Sequence, residues 1–225
     1  MKKSTHSSYV WLALPALLLV FGVLLSAGAA YLQYKAIEKN IRNDFERMAV
    51  RTEDAIVSRL NSPVQALRGG RGFFNAVSRV DRLEFSRFVL SRDLKLEFPG
   101  VRGLGFIERV KRDDVESFLA FERQNGAPDF AISQLNDKSH SELFVIKYIE
   151  PLANNKGTQG LDVGSESLRL AAIRQAINTG APTVTGAITL EHDNKAQPGV
   201  ILYLAVYRHG EPLNNSTQRN AALVG

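Results

Sequence analysis

The feature that most constrains this chain is one long apolar segment close to its start. Residues 10–30 (VWLALPALLLVFGVLLSAGAA) contain no charged side chain, and Lys2 and Lys3 precede them. A helix of about 20 apolar residues spans the hydrocarbon core of a bilayer. No second segment of this kind follows in the sequence. We therefore expect a membrane helix over residues 9–32, after a tail of residues 1–8, with one folded region on one side of the membrane.

Counting the basic residues on each side does not decide the orientation of the apolar segment. Lys2 and Lys3 precede it, but Lys35, Lys39 and Arg42 follow it. A short tail with two lysines and no acidic residue favours a cytoplasmic N terminus. The alternative is a cleaved signal peptide with Ala27-Gly28-Ala29 as its cleavage motif, although a signal core usually has only about 7–15 apolar residues. Both interpretations place the folded region outside the cytoplasm, in the periplasm or the extracellular space.

Composition excludes several classes of function. The chain has no cysteine, so it has neither disulfides nor a thiolate nucleophile, and it fits a bacterial envelope better than an animal cell surface. Its formal net charge is +5, but acidic residues such as Glu46, Glu53 and Asp54 alternate with the arginines of the first helices. Nucleic-acid binding needs basic residues gathered on one face. We therefore expect the membrane, and no nucleic acid, as a partner.

Residues 33–72 are predicted to continue the membrane helix as a stalk. Ile41, Met48 and Ala55 are seven residues apart, and Phe45 follows Ile41 by four. Such a heptad pattern over about three repeats is typical of a short coiled coil. Ile41, Phe45 and Met48 are therefore predicted to form the seam of a homodimer.

The hydrophobic period changes after the stalk, which predicts a mixed α/β domain over residues 73–225. Helices are expected to begin near Asp81, near Asp113 or Asp114, and at a cap formed by Ser165, the last ending at Thr179-Gly180. The closing residues 222–225 predict the start of another strand, so the domain is expected to be truncated. Strands are predicted at 101–110, 130–135, 143–149, 159–163, 182–190 and 199–207, with a polar loop at 191–198.

Five short motifs follow one another along this domain: FPGVRGLGF at 98–106, YIEP at 148–151, GLDV at 160–163, TVT at 183–185 and YLAVY at 203–207. In their order and spacing they resemble the CHASE domain, the extracytoplasmic sensor of many bacterial receptors and of plant cytokinin receptors. The resemblance implies a long helix followed by two PAS-like mixed-sheet units, the last one truncated. It also implies a small-molecule pocket in the membrane-distal unit.

The resemblance extends to the whole receptor. Members of that family are flanked by two membrane spans and carry a histidine kinase, a diguanylate cyclase or a phosphodiesterase inside the cell. It therefore implies that this chain is the ligand-sensing input part of a signal-transduction receptor in the cell membrane. Such a part has no enzymatic activity of its own, and the output domain is expected to lie outside the sequence.

Asp162 is the first candidate for ligand binding. An ionised carboxylate only accepts hydrogen bonds, which suits a ligand N–H, and the resemblance implies this role because cytokinin receptors hold an aspartate at the matching place. The alternative is an acid stabilised beside the N terminus of the next helix. Tyr148, Val184, Thr185 and Tyr203 are predicted to line the same pocket, because small-molecule sites are mostly apolar with a few polar groups. Their alternative is core packing at alternating strand positions.

No catalytic residue, cofactor or metal site is predicted. Glu191-His192-Asp193 carries metal-capable side chains, but consecutive side chains diverge and no second cluster supports them. The GxSxG, HExxH, P-loop and dinucleotide motifs are absent from the sequence. Two other functions stay open. A membrane-anchored module for a protein partner predicts an exposed apolar patch, and an anchored periplasmic enzyme predicts a nucleophile–base or metal constellation.

Overall fold

The computed structural model describes residues 7–77, 80–136, 140–192 and 195–225. Their contacts divide the chain into two compact units, Met1–Val57 and Ser58–Gly225. One long helix, α1 (Ser7–Ala76), supplies the described part of the first unit and the beginning of the second.

The first unit contains the candidate membrane span. Leu17–Lys35 is long and apolar enough to cross a bilayer, with a mean hydropathy of 1.8 over its apolar window, and its described side chains are exposed. This evidence is one of length and composition, which a signal sequence shares, so both interpretations of the apolar segment stay open. Phe45 and Met48 are also exposed, while the side chain of Ile41 lies outside the described ones. The dimer seam therefore stays a prediction.

The second unit is a mixed α/β domain, as the sequence predicted. After residues 58–76 of α1, its longer elements alternate between helices and strands, and short 3-10 turns connect several of them. The helices are α2 (Arg82–Leu90), α3 (Leu94–Glu97), α4 (Val115–Gln124), α5 (Ser167–Thr179) and α6 (Ser216–Ala222). The strands are β1 (Leu104–Lys111), β2 (Ser133–Gln134), β3 (Glu142–Glu150), β4 (Leu161–Asp162), β5 (Thr183–Val184), β6 (Ile188–His192), β7 (Lys195–Gly199) and β8 (Leu202–Tyr203).

The main sheet has four strands in the order β1-β3-β4-β2. β1 and β3 form a long antiparallel pair, from Leu104 opposite Glu150 to Lys111 opposite Glu142, with an irregularity after Phe106. β4 pairs antiparallel with β3 and parallel with β2. The other strands form two antiparallel pairs, β5 with β8 and β6 with β7. The sheet arrangement is therefore mixed.

Three buried clusters form the core of the second unit. The α5 cluster packs α5 against β3, β4 and β8, with Phe144, Ile173 and Tyr203 among its members. The α2 cluster joins α2 to β1 and β3 and includes Ala66 of α1. In the α4 cluster, Phe118 of α4 packs with Val110 of β1, with Leu143 and Val145 of β3, and with Phe130, which precedes β2. Each helix thus covers a different part of the strands.

The structure corrects two local predictions and adds a helix that was not predicted. The N-cap of α5 is Glu166 rather than Ser165, because its longer side chain reaches two amides of the first turn. Within the predicted loop at 191–198, residues 191–192 and 195–198 belong to the antiparallel strands β6 and β7, and residues 193–194 lie outside the described ones. Backbone pairing of this kind needs no apolar pattern. α6 was not predicted, although Asn215 caps it by accepting from the Gln218 N–H.

Candidate functional site

The candidate site surrounds the turn between β4 and α5, at residues 161–166. Asp162 is the last residue of β4, which lies between β3 and β2 in the main sheet. Gly164 approaches β3 so closely that a Cβ there would lie 3.0 Å from the Phe144 ring and 3.1 Å from Asp162 Oδ1. A side chain at that position would have to displace one of these groups, so the tight turn favours glycine.

Asp162 is 2% exposed and is surrounded by donors from the protein itself. Its Oδ1 accepts from the N–H of Phe144 at 2.9 Å and of Gly164 at 3.0 Å. Its Oδ2 accepts from Gln134 Nε2 at 3.2 Å. Three donors satisfy much of the capacity of a carboxylate. The carboxylate is thus placed to stabilise the turn without a ligand, and its role in ligand binding stays a prediction.

Ser165 completes this turn. Its hydroxyl donates to the Asp162 carbonyl at 2.6 Å and accepts from the Leu135 N–H at 2.9 Å. These bonds connect the turn to Leu135, the residue after β2, while Gln134 of β2 binds Asp162 in the same turn. Ser165 is therefore a structural residue of the site instead of the helix cap that the sequence predicted.

Val184 and Tyr203 belong to the paired strands β5 and β8, and Thr185 directly follows β5. Val184 lies opposite Leu202, and the Thr185 hydroxyl accepts from the Ile201 N–H at 3.0 Å. Thr185 is buried, whereas Val184 is 54% exposed. Tyr203 is 7% exposed, and its hydroxyl has no hydrogen-bond partner. Of these three residues, Tyr203 has a buried hydroxyl that forms no hydrogen bond.

Tyr148 belongs to a different cluster from the other predicted pocket residues. It packs in the α2 cluster, with its ring centroid 5.5 Å from that of Phe85, while Tyr203 packs in the α5 cluster. Its hydroxyl donates to the Val80 carbonyl at 3.3 Å. Burial raises the pKa of this phenol above its ordinary value, although the Lys147 ammonium opposes the shift. The structure therefore gives Tyr148 a packing role beside α2.

Arg169 is a polar residue of this region that the sequence reasoning missed. It lies on α5, is 6% exposed, and its Nη2 donates to the Thr189 carbonyl at 3.4 Å. Its Nε has no hydrogen-bond partner and lies 3.9 Å from Glu166 Oε2. The helical period could have predicted the burial of Arg169. It precedes the buried Ala172 and Ile173 by three and four residues, so the three lie on one helix face.

Glu166 is held ionised at the start of α5. Its Oε1 accepts from the Leu168 N–H at 2.9 Å and its Oε2 from the Arg169 N–H at 3.0 Å. Partial burial raises the pKa of this carboxyl, but the two amides and the Ser167 hydroxyl together bring the pKa below its ordinary value. The oxygens of Glu166 are thus committed to the helix cap.

A second group of charges, built around the buried Glu122, lies between α2, α4, β1 and β3. Glu122 is 1% exposed, with Arg82 Nη2 at 2.6 Å from its Oε2 and Lys147 Nζ at 3.3 Å from its Oε1. Lys147 also binds Glu108 at 2.6 Å. Burial lowers the pKa of Lys147, but Glu108, Tyr148 and Glu122 together outweigh it and leave the pKa raised. We call these four residues the ion cluster.

A partly open cavity of about 100 Å³ lies between residues 66–74 of α1 and the strands β1 and β8. Its wall is mostly apolar, with Phe74, Phe106 and Phe144 among its side chains, and Arg71 and Arg109 add charge. Tyr203 is the only one of the five predicted pocket residues in that wall. The cavity therefore touches the predicted pocket at one residue and extends toward the end of the stalk helix.

No metal centre is seen within the described part of the chain, where no group of three histidine or acidic side chains could hold an ion. Asp193, and the side chains of Glu191 and His192, lie outside that part. The exclusion of a metal at this tripeptide thus rests on the sequence argument alone.

The fold is a helix long and apolar enough to cross a membrane, followed by a mixed α/β domain with buried polar groups. A sequence model of the CHASE domain matches residues 78–225, and the chain belongs to the CHASE domain family. This match confirms the resemblance drawn from the sequence motifs. CHASE domains are extracytoplasmic sensor domains of receptors. Among curated proteins, no sequence matches this chain significantly.

Proposed function

We propose that this chain is the extracytoplasmic input part of a membrane receptor and that it binds a small molecule. The observation that carries the proposal is the match of residues 78–225 to a family of receptor sensor domains. The candidate span at Leu17–Lys35 supports it, since it would fix such a domain at the outer face of the cell membrane. In this role the chain senses and does not catalyse.

The ligand site of this proposal lies between the turn at residues 161–166 and the strands β5 and β8. The turn is held rigid by the bonds of Asp162 and Ser165, which suits a preorganised site. The buried Tyr203 hydroxyl still has hydrogen-bonding capacity to offer a ligand. A ligand that binds one arrangement of these elements better than another shifts the equilibrium between them.

The signal then passes along α1. In the second unit, Ala66 is buried in the α2 cluster, and Phe74 stacks on Phe106 of β1 with ring centroids 4.2 Å apart. A rearrangement of β1 or β8 therefore displaces the end of this helix. In a homodimer joined at Ile41, Phe45 and Met48, the displacement changes the packing of the two stalks. A histidine kinase or cyclic-di-GMP enzyme on the cytoplasmic side would read that change.

Two measurements test the proposal on the full chain in nanodiscs. A metabolite library is screened by thermal unfolding, because a ligand that binds only the folded state raises the melting temperature. Single cysteines are then introduced at Phe45 or Met48, which is informative because the chain has no cysteine of its own. A hit that also changes the rate of disulfide formation between two stalks supports sensing and transmission. A hit without that change contradicts transmission through the seam.

A partner-sensing module is the second candidate. Leu83 and Leu90 of α2 and Leu96 of α3 are exposed apolar side chains, which suit a protein–protein contact. If the library gives no hit and substitution of Leu90 and Leu96 by serine abolishes capture of a binding protein, the partner-sensing function is favoured over the small-molecule one.

A further inference from the structure

The cavity beside the end of α1 has a glycine at the centre of its helical wall. Ala66, Leu67, Gly70, Arg71 and Phe74 of α1 line it. Residues three and four apart lie on one face of a helix, so these five form a single face with Gly70 in the middle. A Cβ placed on Gly70 would meet no atom of the surrounding structure within 4 Å. The face therefore leaves open space where a larger side chain would pack.

The walls opposite Gly70 are apolar. They include Phe106 of β1, Ile173 and Ile177 of α5, and Ala205, all of which are buried. Protein interiors are usually packed so closely that few voids are larger than a water molecule. An apolar cavity of roughly 150 Å³ stays dry and binds benzene. A partly open cavity of about 100 Å³ thus suits an apolar ring of similar size.

The charges in the wall exclude one kind of ligand. Arg71 Nη1 donates to the Gly180 carbonyl at 3.5 Å, and Arg109 Nη2 donates to the Asn220 carbonyl at 3.1 Å. Among the described residues that line the cavity, none is acidic. A buried cation without a paired carboxylate is costly, and two arginines in the wall add repulsion. The ligand should therefore carry no positive charge.

We propose that this cavity is a second ligand site, which takes a small apolar ring compound without positive charge. The site goes beyond the one proposed above, because Asp162, Val184 and Thr185 do not line the cavity. Phe74 and Phe106, whose rings stack at 4.2 Å, both belong to its wall. A compound in the cavity contacts α1 and β1 at the same time, so it holds the end of α1 against the strand.

The test uses two probes of nearly equal shape on the full chain in nanodiscs at pH 7. Benzyl alcohol is neutral, and benzylammonium carries a positive charge. We expect benzyl alcohol to raise the melting temperature and to slow amide hydrogen exchange at residues 66–74, because it binds only the folded state. Benzylammonium should do neither.

Two glycines of α1 provide a matched pair of variants. Gly70→Leu places a side chain in the cavity and should abolish the response to benzyl alcohol. Gly72 is exposed and does not line the cavity, and a Cβ there also meets nothing within 4 Å, so Gly72→Leu should respond as the wild type does. Both changes replace glycine by a better helix former, and neither unliganded variant should lose stability. Changes in the bilayer caused by the probe are common to both variants.

Gly70→Ala keeps the test decisive if leucine is too large for the site to fold. Its single methyl group should weaken the binding of benzyl alcohol roughly tenfold or more. The proposal is overturned if benzyl alcohol has no effect on the wild type, if Gly70→Leu or Gly70→Ala responds as strongly as Gly72→Leu, or if benzylammonium binds equally well. A metabolite that Gly70→Leu still binds belongs to the site at residues 161–166, so the sensing function can stand while this second site fails.

Discussion

Asp162→Ala measures how much the turn between β4 and α5 depends on one carboxylate. The substitution removes the acceptor of two buried amides, those of Phe144 and Gly164, and of the exposed Gln134 side chain. A buried donor left without a partner costs about 1–3 kcal/mol, whereas Gln134 can turn to water. We therefore expect a loss of about 2–6 kcal/mol in the free energy of unfolding.

Asp162→Asn is the matched control for charge. It keeps an oxygen for the two amides, and the Gln134 amide can rotate to accept from the new NH₂ group. Exchange of charge-assisted for neutral hydrogen bonds should cost only about 1–2 kcal/mol. Asp129→Ala removes an exposed acid and should change stability by less than about 0.5 kcal/mol.

Urea unfolding of the full chain, followed by far-UV circular dichroism, gives these energies. Tryptophan fluorescence is not suitable, because the single tryptophan, Trp11, lies in the apolar segment and not in the sensor domain. Amide hydrogen exchange adds a local measurement, since the Phe144 and Gly164 amides should exchange faster in Asp162→Ala. Unchanged stability together with unchanged protection of both amides would refute the structural reasoning.

Three other substitutions test separate parts of the chain. Glu122→Gln should lower stability by about 1.5–3 kcal/mol in urea unfolding, because Arg82, which is 22% exposed, loses its charged partner, whereas Lys147 keeps Glu108; an effect no larger than that of Glu108→Gln would contradict this. Glu166→Gln should destabilise the protein at pH 7. Since the folded state lowers the pKa of Glu166, the difference from wild type should vanish as the pH falls below about 4, and a constant difference would exclude the cap. Met48→Glu should weaken dimerisation in light scattering, whereas Val50→Glu, off the seam, should not.

Local signals predicted much of the fold. Asp81 and Glu84 form the capping box expected at the start of α2. α5 ends at Thr179, and Gly180 follows it with a φ of 71°. These features depend on residues close together in sequence, where side-chain chemistry and backbone geometry determine the outcome. The mixed α/β class and the strands predicted at 101–110 and 143–149 followed from hydrophobic period, which is also a local signal.

Features that depend on distant residues were not predictable in the same way. The hydrogen-bond partners of Asp162 include Phe144 and Gln134, far from it in the chain, so its satisfied state could not be read from its neighbours. Tyr148 was predicted to line the pocket from its residue type, and its packing beside Phe85 in the α2 cluster depends on residues distant in sequence, so its ligand role stays a prediction. The burial of Arg169 was missed for another reason. Charged residues are usually exposed, so an arginine in a helix was not expected to be buried.

The ion cluster limits how the domain can deform. Its charges come from α2, α4, β1 and β3, and Glu122 contacts Arg82 and Lys147 at the same time. If α4 slid along the sheet by one helical turn, about 5.4 Å, these contacts would break and leave charges uncompensated in the interior. Shear between these elements is therefore strongly disfavoured. The four elements should tilt together as a rigid body, with the change in backbone angles concentrated in the segments that join them to the rest of the chain.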